Sequence, residues 1–464
     1  MNMLHTKKRI NRDSSNNKKL RNNKLRSNKT RSNKTRNNAI SNMRNFTLFW
    51  LSGSVSQLGS AMTSYALIIW AYQQTKSAMT VSLMSFSMYL PYICISIFAG
   101  AFIDRHSKKK IMLITDFMAA ICTFVIFLLI VTNQFQIWHI YIVNMVIGFA
   151  NSFQSPAQSV AVGIMVPKEE YARASGMNSF SNNLLTVATP MLAASLISVV
   201  DLKGILLIDV VTFLFAEGVL LFYIKIPEVI NKHANKNQSI FAGCKEGVQF
   251  LCNHKGILYI VLSMACMNYF SRLTYENILS PMILARSGGN TQVLGIVTGM
   301  IGFGGILGGL LVSLRKKSDN KIAEIFLTAA FSFLCGDLLM GVGRNVVLWS
   351  IAALAASVPI PFITAAQNVI MYEVIPREVQ GRIFAVKNAI QFCTIPIGIL
   401  LGGFLADYVF EPFMVSGSQG AKWVQGLVGN TEGSGMALMF VMTGILGCLT
   451  SLLWYRSKEI CKLK

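Results

Sequence analysis

The sequence predicts an all-α membrane protein in which twelve transmembrane helices form two pseudo-symmetric bundles of six helices, with both termini in the cytoplasm. Three observations predict this fold class: an apolar composition, twelve apolar stretches of bilayer length, and an uneven distribution of basic residues. Of the 464 residues, 53% are hydrophobic and only 13% are charged. A soluble protein has about a quarter of its residues charged, so lipid must be the solvent for much of this surface.

The apolar stretches are long enough to cross a bilayer, because a spanning helix needs about 20 mainly apolar residues. We number the predicted spans in chain order, and they cover 46–72, 78–103, 111–132, 137–163, 174–200, 204–226, 256–284, 292–314, 322–342, 346–373, 383–408 and 437–455. Most loops between them are short, and the exceptions are 227–255 and 409–436. An even number of spans places both termini on one side of the membrane.

The basic residues indicate which side that is, because cytoplasmic loops are enriched in Lys and Arg. With both termini inside, 36 of the 42 basic residues lie in cytoplasmic segments and five lie in outer loops, while Arg272 lies within the seventh span. Without the amino-terminal tail the split is still 22 to five. An odd number of spans would destroy this alternation.

The net charge of +22 is concentrated at the amino terminus, where residues 1–44 carry 14 Lys or Arg and a single acid, Asp13. Such a segment cannot bury enough apolar surface to fold, so we expect residues 1–43 to be a disordered basic tail. Three interpretations stay open: a cytoplasmic tail that reinforces topology, an arm that binds RNA or lipid, or translated upstream sequence before a start at Met43. Because the charge lies in this tail, we do not predict a nucleic-acid-binding protein.

Two motifs recur at nearly the same offset and indicate an internal duplication. Residues 100–110 resemble 309–317, and residues 167–173 resemble 376–382, with offsets of 210 and 209 residues. Transporters built from such repeats commonly place the substrate site between them, near the middle of the membrane. The predicted division is a six-helix bundle over 44–226, a cytoplasmic linker over 227–255, a second six-helix bundle over 256–456 and a cytoplasmic tail over 457–464.

The loop after the second span carries a family resemblance. It reads Gly100-x-x-x-Asp104-Arg105-x-x-Lys108-Lys109 and resembles the loop signature of the major facilitator superfamily. The sequence is similar to the macrolide-efflux and enterobactin-exporter branch over about residues 45–456. The stretches that carry this similarity are 49–57, 104–112, 153–157, 208–210, 245–247, 254–256 and 376–382. The resemblance implies a multi-pass transporter of a bacterial cell membrane that exports an amphiphilic compound, such as an antibiotic, with the proton gradient.

The loop motif also has a physical interpretation. Gly100 would let the second and eleventh spans approach closely. Asp104 could face the amino end of the eleventh span and Arg382, where the helix dipole and a charge-assisted hydrogen bond stabilise a carboxylate. That interaction would hold the cytoplasmic side closed and break when the two halves rock apart. A simple topology signal is the alternative for the basic residues of the motif, Arg105, Lys108 and Lys109.

Ionisable residues inside a span are costly, so each is a functional hypothesis. Arg272 and Glu276 are four residues apart in the seventh span and can pair on one helix face. If Glu276 alternates between this pairing and carrying a proton, it couples transport to the gradient; a static buried pair is the alternative. Asp209 and Glu217 share a face of the sixth span and are the other proton-coupling candidates. We rank Asp337 lower as a functional candidate. We also rank lower four ionisable residues that lie nearer the span ends: Asp116, Glu373, Lys387 and Asp407.

Polar residues within the spans are the candidates for a substrate cavity: Gln57, Tyr65, Asn144, Gln154, Asn268 and Gln391. Asn144 stands where many proton antiporters of the superfamily carry an Arg. The sequence contains no phosphate-binding loop, nucleophile elbow or metal-ligand cluster, so we predict neither an enzyme nor an ATP-driven pump, and no cofactor or metal. We expect a monomer whose partners are a small-molecule substrate, protons and the lipid bilayer. A nutrient-uptake symporter and a non-transporting membrane sensor or scaffold are the rival functions.

Overall fold

The structure is a computed structural model that describes residues 43–167, 170–224, 226, 240–314, 320–375 and 380–461. Within these ranges every regular element is helical. The predicted basic tail and much of the predicted linker, at 1–42 and 227–239, lie outside the described residues. At some described positions, including Gly100, Asp104, Arg105 and Arg382, the structure describes the backbone only.

Residues 43–226, which we call the first half, contain five long helices. They are α1 over 43–75, α2 over Ala78–Arg105, α3 over Lys108–Val131, α4 over Ile137–Met165 and α5 over Tyr171–Phe222. The 52 residues of α5 are too many for one bilayer crossing at a rise of about 1.5 Å per residue. The helix is interrupted only at Asp201, whose φ angle is 54°. The predicted fifth and sixth spans are therefore joined by a single non-helical residue.

Residues 240–461, which we call the second half, contain shorter helices. They are α6 over Ile240–Asn253, α7 over Lys255–Thr274, α8 over Leu279–Arg286, α9 over Thr291–Leu314, α10 over Lys321–Phe331, α11 over Leu338–Val342, α12 over Val346–Ser357, α13 over Ile360–Val374, α14 over Gln380–Phe392, α15 over Thr394–Leu405, α16 over Glu411–Val415, α17 over Gln419–Val428, α18 over Ser434–Tyr455 and α19 over Lys458–Cys461. Turns of π-helix over Ser332–Asp337 and Ala406–Phe410 join α10 to α11 and α15 to α16.

Several predicted spans are thus interrupted in the structure. The seventh span breaks over 275–278, the tenth at Pro359, which cannot donate a backbone hydrogen bond, and the eleventh at Cys393. The segment predicted as a loop over 409–436 contains α16 and α17. Apolar residues continue across the breaks at Pro359 and Cys393, so hydropathy alone does not reveal those two, whereas the break over 275–278 contains the polar residues Glu276 and Asn277.

Nine helical segments of the described chain are long and apolar enough to cross a membrane. The helix α4, with 29 residues, also has the length for a crossing, and so does α1, but both carry many polar residues. The chain is therefore an all-helical membrane protein. The polar faces of α1 and α4 line the cavity described below, which explains their lower hydropathy.

The two halves contact each other at one end of the molecule. We call the end where α2 begins the Ser77 side and the end where it finishes the Ser107 side. On the Ser77 side a single apolar cluster includes Tyr72 and Val81 of the first half and Met282 and Phe440 of the second. The four other apolar clusters found among the described residues each belong to one half. The halves are thus packed together on the Ser77 side, mainly through α2 against α15 and α5 against α9.

Small residues make this packing possible. A Cβ atom added to Gly403 of α15 would lie 2.6 Å from the Cβ of Ser82 and 3.0 Å from the Cα of Met79, both in α2. A Cβ added to Gly295 of α9 would lie 2.7 Å from the Cβ of Ala194 in α5. Real Cβ atoms do not approach so closely, so each helix pair requires glycine at its contact.

Candidate functional site

A cavity of about 1020 Å³ lies within the first half. Its lining extends from Phe49 and Ala174, near the Ser107 ends of α1 and α5, to Leu67 and Ile126, which lie closer to the Ser77 ends of α1 and α3. The apolar part of the lining also includes Trp50, Met88, Tyr92, Val143 and Ile147. The polar part includes Gln57, Asn144, Asn151, Gln154, Gln158, Asn178 and Asn182, together with several hydroxyl groups. The cavity can therefore hold a molecule with both apolar and polar surfaces.

A group of hydrogen-bonded carboxyl and amide side chains lies on one wall of the cavity. The Gln154 Nε2 donates to both carboxylate oxygens of Asp116, at 2.8 and 2.9 Å. The carboxyl group of Glu217 lies beside that of Asp116, and the two line the same small pocket. Asp116 lines the main cavity and also a smaller pocket beside it, which Glu217 lines as well. Two neighbouring carboxyl groups repel each other when both are ionised, so a shared proton or a nearby cation would stabilise this pair.

A second carboxylate lines the same cavity. The Asp209 side chain accepts hydrogen bonds from the Ser60 hydroxyl at 2.8 Å and the Thr123 hydroxyl at 3.2 Å. The residue is 3% exposed, and Gly59 of α1 permits this approach because an added Cβ would lie 3.2 Å from Asp209 Oδ1. The structure therefore places both Asp209 and Glu217, the two candidates of the sixth span, next to the cavity.

The other proton-coupling candidates lie at the contact between the halves. Arg272 near the end of α7 forms an ion pair with Glu276 in the turn that follows. The Tyr89 hydroxyl of α2 donates a hydrogen bond of 2.9 Å to the second carboxylate oxygen of Glu276. The side chains of Arg272 and Glu276 are 34% and 26% exposed, so they are partly buried. Because Tyr89 belongs to the first half, this carboxylate contacts both halves.

Asp407 closes the contact between α2 and α15 on the Ser77 side. Its carboxylate accepts hydrogen bonds from the Ser77 hydroxyl at 2.5 Å and from the backbone N–H groups of Ala78 and Met79 at 3.0 and 2.9 Å. The N–H groups at the start of a helix have no partner within the helix, and the helix dipole favours a negative charge there. A carboxylate of the second half thus caps a helix of the first half.

Asn277 and Tyr65 each form a further hydrogen bond between the halves on this side. The Asn277 Nδ2 donates to the Ser82 hydroxyl of the first half and also, at 2.7 Å, to the Ile399 carbonyl of its own half. Tyr65, predicted as a cavity residue, instead forms a 2.8 Å hydrogen bond with the Thr298 hydroxyl of α9. Tyr65 therefore connects α1 to the second half rather than lining the cavity.

The remaining predicted cavity residues divide into two groups. Gln57, Asn144 and Gln154 line the cavity of the first half, whereas Asn268 and Gln391 belong to the second half and do not line it. The Asn144 Nδ2 also donates to the Met84 carbonyl at 3.0 Å. Asn144 thus holds α4 against α2 while facing the cavity.

Lys109 of the loop motif contacts the end of α5. The Lys109 Nζ donates to the carbonyls of Leu221 and Ile224 at 3.1 and 2.8 Å, so it caps the carboxyl end of α5. Lys108 is 5% exposed. The side chains of Asp104, Arg105 and Arg382 and the surroundings of Gly100 lie outside the described part of the structure, so the cytoplasmic contact stays a prediction.

Comparison with known proteins decides the family. The sequence profile of the Major Facilitator Superfamily matches residues 49–398. The chain belongs to the major facilitator superfamily. The resemblance predicted from the loop motif is therefore confirmed.

Among individual relatives, this superfamily member is 27% identical over 381 residues to macrolide efflux protein A of Streptococcus pyogenes. The aligned region covers 80% of this chain and 92% of that protein. It is 22% identical over 365 residues to the multidrug efflux pump Tap of Mycolicibacterium fortuitum, covering 75% and 86% of the two chains. A crystal structure of a bacterial homologue of the iron transporter ferroportin, in an inward-facing state, superimposes with a TM-score of 0.66 at 12% identity, covering 89% of this chain and 99% of that one. At that identity the superposition establishes the fold alone.

Proposed function

We propose that this superfamily member exports amphiphilic small molecules across a bacterial cell membrane by proton-coupled alternating access. The observation that carries the proposal is the cavity of about 1020 Å³, which reaches the Ser107 side while the halves are packed together on the Ser77 side. Ligand cavities commonly measure about 300–1,000 Å³, so this one suits a bulky substrate. The similarity to proteins named for macrolide and multidrug efflux favours export over uptake.

The proposed topology has twelve spans, of which α5 supplies two, and both termini in the cytoplasm. The basic residues of the loops support it, because the Ser107 side then corresponds to the Lys- and Arg-rich cytoplasmic side. The cavity thus opens to the cytoplasm, from which an exporter takes its substrate. Bundles over 44–226 and 256–456 would rock against each other, and this motion would expose the cavity of the first half to the outside.

Glu276 is the residue to which we assign the coupling proton. Its carboxylate contacts Arg272 within its own half and Tyr89 across the interface. When the Ser77 side opens, α2 moves away from the turn that holds Glu276, so the Tyr89 hydrogen bond breaks and outside water reaches the carboxylate. Proton binding would therefore depend on which side is open, as coupling requires.

Accumulation of labelled antibiotics tests the proposed function. Cells that express the protein should accumulate less of at least one amphiphilic antibiotic than cells without the gene, and an uncoupler should abolish the difference. A panel that includes macrolides and small nutrients separates the alternatives. Higher accumulation of a nutrient would indicate an uptake symporter, and no difference for any compound would favour a sensor or scaffold.

Substituting Asp104 by Asn tests the predicted cytoplasmic contact. Asp104→Asn should slow efflux while membrane insertion stays normal, because it removes the charge expected to face Arg382 without changing the side-chain shape. Efflux is measured at matched protein abundance, and Lys110→Gln, a substitution of an exposed residue at the start of α3, serves as the control. Wild-type efflux by the Asp104 variant would rule out a role for this charge in closing the cytoplasmic side.

A further inference from the structure

We propose that the cavity selects amphiphiles that bear a protonated amine, and that the ammonium group binds at the Asp116–Glu217 carboxyl pair. This inference rests on the proposed function, because it names the class of molecule that the exporter would carry. It is carried by the charge of the cavity lining and by the position of the carboxyl pair, in which Asp116 belongs to that lining and Glu217 to the adjoining pocket.

The lining of the cavity is acidic. Among the described residues that line it, two are carboxylates, Asp116 and Asp209, and none is Lys, Arg or His. Elsewhere in the described first half the basic residues lie at helix ends, in loops or beside the break at Asp201. An ionised carboxylate inside a membrane protein requires a counter-charge. A cation that enters the cavity would supply one, whereas an anionic substrate would meet only repulsion.

The carboxyl pair is the more accessible of the two acidic positions. Both oxygens of Asp209 already accept hydrogen bonds from hydroxyl groups, and that residue is almost fully buried. Asp116 lies instead where the main cavity meets the smaller pocket lined by Glu217. The amide of Gln154, itself held by the Thr115 hydroxyl at 2.5 Å, orients the Asp116 carboxylate. An ammonium group here would donate to Asp116 and Glu217 together, and its charge would relieve the repulsion between them.

The rest of the lining indicates an organic cation rather than a metal ion. The volume of about 1020 Å³ greatly exceeds the space that one hydrated ion occupies. Apolar side chains of Trp50, Met88 and Ile147 face the same cavity as the carboxylates. A tertiary amine joined to a bulky apolar body would satisfy both surfaces, with the aromatic faces available for additional cation–π contact.

A pair of isosteric fluorescent probes tests this inference. One probe is a dansyl sulfonamide with a 3-(dimethylamino)propyl chain, which is cationic at neutral pH, and the other carries a neutral 4-methylpentyl chain. Binding to the purified full-length protein is followed by dansyl fluorescence at pH 7. We expect the amine to bind at least about tenfold more tightly than its neutral isostere, because a desolvated charge pair contributes that much or more. Asp116→Asn and Glu217→Gln should each reduce the ratio toward one.

Asp337→Asn provides the matched control. Asp337 is a buried carboxylate of the second half that accepts a hydrogen bond from Thr443 and does not line the cavity, so its variant should keep the preference for the amine. Equal binding of the two probes by the wild-type protein, or binding of neither, would overturn the inference. So would a preference that survives in both carboxyl variants. If the proposed function fails instead, the result is different. The purified protein would still prefer the amine in binding, but cells would show no uncoupler-sensitive efflux of the amine.

Discussion

Glu276→Gln is expected to reduce uncoupler-sensitive efflux to the background of cells without the gene, while substrate binding survives. Glutamine keeps the shape of the side chain and can still accept the hydrogen bond from Tyr89, but it cannot take up a proton. If Glu276 carries the coupling proton, the variant loses its connection to the gradient. Downhill exchange of substrate, which needs no net proton movement, should continue in reconstituted vesicles.

The matched control for this variant is Glu373→Gln. Glu373 forms an exposed ion pair with Lys321 at 2.6 Å, and an exposed pair contributes at most about 1 kcal/mol, so efflux should stay near the wild-type level. Efflux by Glu276→Gln that remains fully uncoupler-sensitive would contradict the assignment. If Glu217→Gln then loses uncoupler-sensitive efflux of a neutral substrate, the proton site belongs to the sixth span. If neither variant matters, the buried charges are structural.

Asp407→Asn is expected to open the Ser77 side of the molecule. The carboxylate accepts three hydrogen bonds from the start of α2, and the charge at a helix amino terminus adds to them. Loss of that charge should weaken the closed arrangement by about 2 kcal/mol, which shifts the equilibrium between the two arrangements by about 30-fold. A protein held open to the outside for longer should also export more slowly.

Spin labels on either side of the interface measure this shift. Gln74 and Val415 are exposed, lie on the Ser77 side and belong to different halves, so the distance between labels placed there should lengthen in Asp407→Asn. Glu411→Gln is the control, because Glu411 caps α18 within a single half by accepting from the Met436 N–H at 3.0 Å. An unchanged distance distribution in Asp407→Asn would show that packing alone holds this side closed.

Much of the fold follows from the sequence because its signals are local. Runs of apolar residues predict the helices, and the motif at 100–110 with its degenerate copy at 309–317 predicts the family and the duplication. The family match confirms the family, while the duplication, the number of spans and the orientation of the termini stay predictions. The helix breaks at Pro359 and Cys393 were missed because hydropathy is continuous across them.

The site was harder to predict because its contacts are distant in sequence. Asp407 lies near the end of a span, which suggests an unremarkable solvated acid, but its partners Ser77 to Met79 are about 330 residues away. Asp116 was likewise ranked low, since nothing in the sequence indicates that Glu217 of another helix lies against it. Tyr89 has no feature that separates it from the other twelve tyrosines. Only the packing of the helices brings these groups together.

The single-residue break in α5 has a mechanical consequence. Before Asp201 the helix packs against α9 of the other half, where Ala194 meets Gly295, and after it the same helix carries Asp209 and Glu217 beside the cavity. We call the parts of α5 before and after Asp201 its first and second arms. Because a single non-helical residue joins them, the two arms have little freedom to move independently. A tilt of the first arm as the halves part would displace both carboxyl groups of the second arm. Inserting two glycines after Asp201 would uncouple the two arms. Opening of the Ser77 side would then no longer displace Asp209 and Glu217.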